Sequence, residues 1–512
     1  MQKATKSEIG QQAWRRSIAP LIALIFIGLV GTLMPAKDAN ALPAFARRYH
    51  LVCNACHTRE PRLNAFGERF FENGFQLPGS EDGDVAHQIY LGNTVNHAAL
   101  NDASNYFAVR IRGQAVDYQS DQPSADTNRL DISHMILDGS IFTAGPITKN
   151  ISFFGEFAGS TQDSVVLNTA SLQFTNLVGY QDLNVILGAV QTDEFFAYPN
   201  DRNQINSLDG SEDDSGSPVG YDRIPIAPAA FNLNMFGLTT GNANLGAGGG
   251  FGLSPYDPFG FNGGDNEEQV SLYGRPFQDK RFLYSVGLAQ NHTAEDNPQI
   301  RHDIFVLARY DFFPGAYQEL AVSGFYYKAP SAVRATVPLD PTTDPGDPAC
   351  TTFPCYQLGQ VEDVDNYGLG ARWYTGPFDI YSALVWHKID SPRFTNPGAQ
   401  QAQFKNTGMG FTVEADYLFN DKWLGGVRYD YASPGGLEKL PPLLQGTAPE
   451  INQKYSYINL LAKYYPAPNF AIYGQFTHNL NGTNQLPLIF GGGNTPATNN
   501  RNVIAFGFDW GF

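Results

Sequence analysis

The chain has 512 residues, among them 52 glycines, 37 phenylalanines and 26 tyrosines, and its 50 acidic side chains outnumber 33 basic ones for a formal net charge of −17. An acidic balance of this size repels nucleic acid and attracts cations or basic partners, so no nucleic-acid partner is expected. Beyond the first forty residues no run of about 18 apolar residues occurs, which leaves no candidate for a membrane-spanning helix.

Residues 1–41 read as an export leader. Lys3, Lys6, Arg15 and Arg16 form a positive head, Ile18 to Met34 an apolar run, and Ala39-Asn40-Ala41 a small-residue cleavage site, so the mature chain is expected to start near Leu42. Pro20, Gly28, Gly31 and Thr32 interrupt the apolar run and weigh against a retained anchor, which needs about 20 apolar residues. Removing the leader takes away five basic and two acidic residues and makes the remainder more acidic still.

Cys53-Asn54-Ala55-Cys56-His57 follows, a C-x-x-C-H motif. Two thiols separated by two residues face one porphyrin edge and form thioethers with its vinyl groups, and the adjacent imidazole becomes the axial iron ligand. C-x-x-C alone would also suit a redox dithiol or half a zinc site; His57 and the upstream leader favour one covalently attached haem c. His57 is then the residue at the redox centre. Leu63, Phe66 and Phe70 fall at i, i+3 and i+7, one face of a short helix expected to pack on the porphyrin, with Gly74 and Pro78-Gly79 ending it. This haem segment, residues 42–84, is too small to bury a sufficient core of its own, so haem and a neighbouring wall must supply the rest.

The sixth iron ligand stays open among Met135, Met235, Met409, His50, His87, His97 and His134. Methionine would raise the potential and histidine lower it.

After a linker, 85–104, apolar and polar residues alternate with period 2 from residue 105 to the C-terminus. Phe107-Ala108-Val109-Arg110-Ile111-Arg112, Phe411 to Tyr417 and Trp423 to Tyr431 are examples. This is the pattern of a transmembrane antiparallel β-barrel with lipid outside and water or a plug inside. Short links (Gly145 to Asn150, Pro276 to Lys280, Thr375 to Phe378, Asn420 to Lys422, Pro466 to Asn469) contrast with long polar ones (Thr192 to Pro228, Ala329 to Val361, Ser391 to Thr407, Ser433 to Lys454), the asymmetry of outer-membrane barrels. The chain stops on an aromatic ladder, Ile504 to Phe512. The runs amount to about 16 strands, an even number, so both barrel ends lie on the periplasmic side of a bacterial outer membrane. Such a barrel leaves a lumen into which the haem segment can fold.

Three further features are weighed at this point. Cys350 and Cys355, in a Pro- and Thr-rich loop of an exported chain, suit a small disulfide. Asp209, Glu212, Asp213 and Asp214 offer carboxylates to a divalent cation, although a plain solvated loop is the ordinary reading. Arg110 and Arg112 could pair the haem propionates; the default for charges facing across a pore is that they balance Glu414 and Asp416.

The front segment resembles a known family. Pro43-Ala44-Phe45-Ala46-Arg47-Arg48, Cys53 to His57, Pro61, Leu63, Phe66-Gly67, Phe70 and Asn73-Gly74 resemble the fused monohaem cytochrome–porins of the outer membrane, best known as iron oxidases of iron-oxidising bacteria. The close match covers Pro43 to Gly79; the remainder corresponds in architecture only. The resemblance implies an iron:cytochrome or iron:cupredoxin oxidoreductase. Extracellular ferrous iron gives one electron to the haem, and a periplasmic cytochrome or copper protein receives it. Haem–barrel proteins of unassigned function share this front segment. A porin with a structural or gating haem plug, and a conduit for another redox partner, therefore stand as alternatives.

Overall fold

The computed structural model describes residues 44–49, 51, 53–59, 62–77, 106–119, 129–131, 138–160, 165–190, 195, 197, 267–290, 302–313, 318–333, 361–394, 402–433, 455–480 and 502–511. The leader, the 85–104 linker and most of the long links lie outside these residues.

The N-terminal segment holds helix α1 (Ala44–Tyr49), a 3-10 turn (Cys53–Ala55), two short strands β1 (His57–Arg59) and β2 (Arg62–Leu63), and helix α2 (Ala65–Glu72). The wall follows as β3 (Phe107–Gln119), β4 (Arg129–Asp131), β5 (Asp138–Thr148), β6 (Ile151–Ser160), β7 (Val166–Phe174), β8 (Asn184–Val190), β9 (Glu267–Gly274), β10 (Phe282–Gln290), β11 (Asp303–Asp311) and β12 (Gln318–Val333). It continues with β13 (Val361–Thr375), β14 (Phe378–Phe394), β15 (Ala402–Asn420), β16 (Trp423–Ser433), β17 (Tyr455–Ala467), β18 (Phe470–Asn479) and β19 (Asn502–Gly511).

Neighbouring strands pair antiparallel in chain order, and β19 pairs with β3 to close the ring. β4 pairs with Val116–Tyr118 of β3 and β5 with Phe107–Arg112 of the same strand. The two therefore share one position, and the closed barrel has sixteen, as the alternation predicts. All five short links are turns at one end of the barrel, and antiparallel pairing brings the start of β3 and the end of β19 to that same end.

Alternation decides which side chains face in. Along β11, Asp303, Phe305, Leu307, Arg309 and Asp311 are buried, while Ile304, Val306, Ala308 and Tyr310 are exposed. The outward aliphatics include Val270, Leu272, Val286, Leu288, Val322, Leu369, Val427 and Leu460. Aromatic pairs rim the short-turn end: Phe277–Phe282, Tyr310–Phe312, Phe378–Tyr417 and Tyr417–Phe419, with ring centroids 4.7–5.5 Å apart. A second group, Tyr367–Trp386 and Phe411–Tyr429, lies further along the wall. Trp373 near the first rim and Tyr367 in the second are six residues apart on β13, about 20 Å at strand rise. An apolar band between two aromatic girdles is the outer surface that a bilayer requires.

The inward face is less polar than the alternation predicts. Tyr273, Leu283, Phe305, Leu307, Phe325, Ala383 and Val385 are buried there with Ile186 and Val190. Phe195 and Ala197, which follow β8, account for this. Phe195 stacks on Tyr273 at 4.7 Å, and the Ala197 amide donates to Ser323 Oγ at 2.9 Å. Phe195 and Ala197 thus lie against the inner wall, and Phe195 shares one buried cluster with its apolar inward residues.

Candidate functional site

The Cys53–Ala55 turn is closed by the Cys56 amide, which donates to the Cys53 carbonyl at 3.2 Å. Both thiols are half-buried and unbridged. Burial pushes the Cys56 thiol up to about 11.

His57 opens β1 and lies opposite Leu63 of β2 in a small hairpin. Helix α2 begins at Ala65, so Leu63 precedes the helix and does not share its face with Phe66 and Phe70. Asn64 is the reason: in extended conformation it caps the helix, its Oδ1 accepting the Gly67 N–H at 2.9 Å. The predicted end holds. Asn73 terminates α2, and Gly74 follows at φ +67°, the left-handed conformation that glycine supplies after a helix.

Phe70 packs into an aromatic knot. Its ring meets Phe45 edge-on at 5.2 Å and Tyr49 at 5.5 Å; Phe45 stacks on Phe75, and Phe75 on Phe154 of β6. Phe66 and Leu63 are half-buried. Phe71 links the knot to the wall-lining residues, meeting Phe75 edge-on at 5.6 Å and Phe195 at 5.8 Å.

Charge ties this segment to the inner wall. Arg62 has a fully buried side chain. It donates to Asp416 at 2.5 Å and to Glu414, lies 3.5 Å from Asp379, and sits 4.4 Å over the Tyr381 ring. Thr58, next to His57, donates to Asp379 at 3.1 Å. Arg372 donates to the Leu63 carbonyl at 2.7 Å and lies 3.4 Å from Glu68. Arg309 pairs with Glu68 at 2.5 Å, and Arg275 grips Glu72 with two bonds of 2.7 and 2.8 Å. The Tyr273 hydroxyl donates to the Glu72 carbonyl, Gln76 to the Lys149 carbonyl, and Asn176 to Asn73. The footprint runs from the β5–β6 turn to β15, all near the short-turn end. Burial alone would raise the Glu72 carboxyl, but Arg275, with help from Arg69, holds it below its ordinary value.

Other predicted residues sort differently. Arg110 makes a bidentate pair with Asp509 (2.9 and 2.6 Å), not with Glu414 or Asp416, because antiparallel register sets β19 beside β3. Arg112 lies directly opposite Asp509 in that register. Glu414 and Asp416 are taken by Arg62. Met409 shares strand parity with the outward Val413 and Tyr417, opposite to that of the inward Thr412, Glu414 and Asp416, so it faces away from the lumen. Met135, Met235, His50, His87, His97, His134, the Asp209–Asp214 cluster and the Cys350–Cys355 pair lie outside the described residues. Asn64, Glu68, Glu72 and Arg62 were missed. Only Asn64 has a local signal, an N-cap residue before a helical run.

No protein-family model matches the chain, and no characterised protein sequence matches it. Among solved structures, an anion-selective porin from Comamonas acidovorans is 13% identical, over 79% of this chain and 98% of that one, with a TM-score of 0.44. OmpF of Salmonella typhi, in complex with daunomycin, is likewise 13% identical, over 79% and 97%, with a TM-score of 0.43. The outer membrane channel DcaP of Acinetobacter baumannii is 10% identical, over 79% and 96%, with a TM-score of 0.41. The closed barrel rests on the strand pairing above, not on these likenesses.

Proposed function

We propose that the chain is an outer-membrane electron-transfer protein that takes electrons from extracellular ferrous iron through one covalently attached haem c and passes them to a periplasmic cytochrome or copper protein. The observation that carries this reading is the junction at His57. The residue after it, Thr58, is bonded to the inner wall, and Arg62, five residues on, is buried among three wall carboxylates.

The donor set fits the group. Cys53 and Cys56 lie on one turn with no disulfide joining them, and His57 is the next residue. In this reading Cys53 and Cys56 hold the haem, His57 ligates its iron, Leu63 and Phe66 cover it, and Phe70 braces the segment through the aromatic knot. When bound, haem supplies a one-electron iron couple. No proton-transferring or nucleophilic residue is required. The chain's own residues have to fix the haem turn, exclude bulk water and keep the lumen closed.

The buried ion pairs favour a fixed plug over a displaceable gate, because removing one partner of a buried pair costs about 3–5 kcal/mol. Electrons, not solutes, then cross, and insoluble ferric product stays outside. The apolar band and its girdles support the bilayer setting; in this reading the short-turn end is periplasmic and iron is met at the opposite end.

Haem content and conductance test the reading together. Purified protein should contain one covalent haem per chain, lost when Cys53 and Cys56 are both replaced by alanine, and should not conduct in liposomes. Haem-free protein would sink the redox reading, and large steady conductance would support the porin alternative.

A further inference from the structure

We propose that Asn64 is the positioning residue of the haem-binding turn, joining the Cys53–Cys56 backbone to helix α2 so that His57 is held at a fixed place relative to the barrel wall; the premise is the haem attachment proposed above. The two ends of its side-chain amide do different work. Oδ1 accepts from the Gly67 N–H at 2.9 Å and caps the helix. Nδ2 donates to the carbonyls of Asn54 at 3.3 Å and Ala55 at 3.0 Å, the two residues between the cysteines. Its own N–H donates to the Cys56 carbonyl at 2.8 Å, and its carbonyl accepts from Glu68 at 2.9 Å. Asn64 is 2% exposed, so water cannot replace these bonds.

Gly67 marks how close the two pieces lie. A methyl group there would collide with the Cys56 carbonyl, so the first turn of α2 rests directly on the motif's backbone. The same helix is fixed at Glu68 and Glu72 by Arg309, Arg372 and Arg275 of the wall. A continuous set of bonds therefore runs from wall to helix, from helix to Asn64, and from Asn64 to the residue before His57.

Asparagine is the side chain this arrangement needs. Aspartate caps a helix as well as asparagine does. An ionised carboxylate only accepts, however, and would face two carbonyl oxygens that now receive hydrogen bonds. Serine keeps a cap and loses the bonds to the turn. A purely capping role therefore leaves Asn64→Asp equal to the native protein and better than Asn64→Ala. A positioning role reverses that order at the haem.

The test uses full-length protein matured with haem in cells. Covalent haem per chain, the oxidised and reduced absorption bands, and the midpoint potential are compared for native protein, Asn64→Asp, Asn64→Ser and Asn64→Ala. The expected result is that Asn64→Asp shifts the reduced-to-oxidised balance most, by tenfold or more, about 59 mV for one electron, while proteolysis shows the segment still docked. Asn64→Ser serves if the aspartate variant fails to accumulate; it should show a smaller shift in bands and potential, with the cap intact. Variants with native bands and potential would overturn the positioning role while leaving the haem reading standing. Native protein without covalent haem would overturn both.

Discussion

The two halves of the inner wall treat their charges differently. On β3 and β19, Arg110 and Asp509 satisfy each other across adjacent strands. On β9 to β15, Glu414, Asp416, Asp379, Arg372, Arg309 and Arg275 all reach side chains or carbonyls of residues 58–72. A wall that served only a water-filled channel could pair its charges within itself all the way round. The β9–β15 half pairs internally too, Arg309 with Asp311 and Glu319 and Arg372 with Asp379, but it also reaches the N-terminal segment and so shows where that segment is anchored; the other half supplies an internal control.

The largest effect should come from Arg62→Ala. It removes a buried guanidinium shared by three wall carboxylates, of which Asp379 keeps Arg372 and Glu414 keeps Arg428, and should weaken docking by about 3–5 kcal/mol, seen as rapid proteolysis after residue 57 and new conductance in liposomes. Arg110→Ala, the control, should leave docking and conductance unchanged even if it lowers barrel stability. Next is Phe70→Ala, which hollows the aromatic knot and should cost about 3 kcal/mol of docking, measured by hydrogen exchange in residues 65–75.

Glu72→Gln should be milder, about 2 kcal/mol, as charged hydrogen bonds to Arg275 become neutral. Acid should do the same. Because Arg275 holds Glu72 below its ordinary value of 4.5, its contribution is fully present above that pH and is lost as pH falls through the lower docked value. Exchange protection of α2 should therefore fall on acidification below about 4.5, with that fall reduced in Glu72→Gln. The smallest effect is Met409→Leu. An outward side chain should leave the haem bands unchanged, and a loss of low-spin character would contradict its placement.

How much of this was legible in the sequence follows from range. The barrel was readable because alternation, short turns and the terminal ladder Ile504 to Trp510 are local patterns, each repeated strand after strand. The thiol–thiol–imidazole set was readable for the same reason. The docking was not: Arg62 and Glu414 are 352 residues apart, and nothing near either specifies the other. Arg110 was matched with the wrong acids because strand parity gives the face a charge occupies but not its neighbour. Phe305, Leu307 and Phe325 broke the expected polar lining because they join one buried cluster with Tyr273 and Phe195, residues far apart in the sequence. Leu63 was placed on the helix by spacing alone, and the cap at Asn64 moves it off.

Anaerobic stopped-flow absorbance on oxidised, detergent-solubilised full-length protein mixed with ferrous iron tests the central claim most directly. Rapid appearance of reduced haem bands, absent in His57→Ala, is the expected result. Haem that dithionite reduces but ferrous iron does not would contradict iron as the donor and point to a different redox partner or a haem-plugged pore.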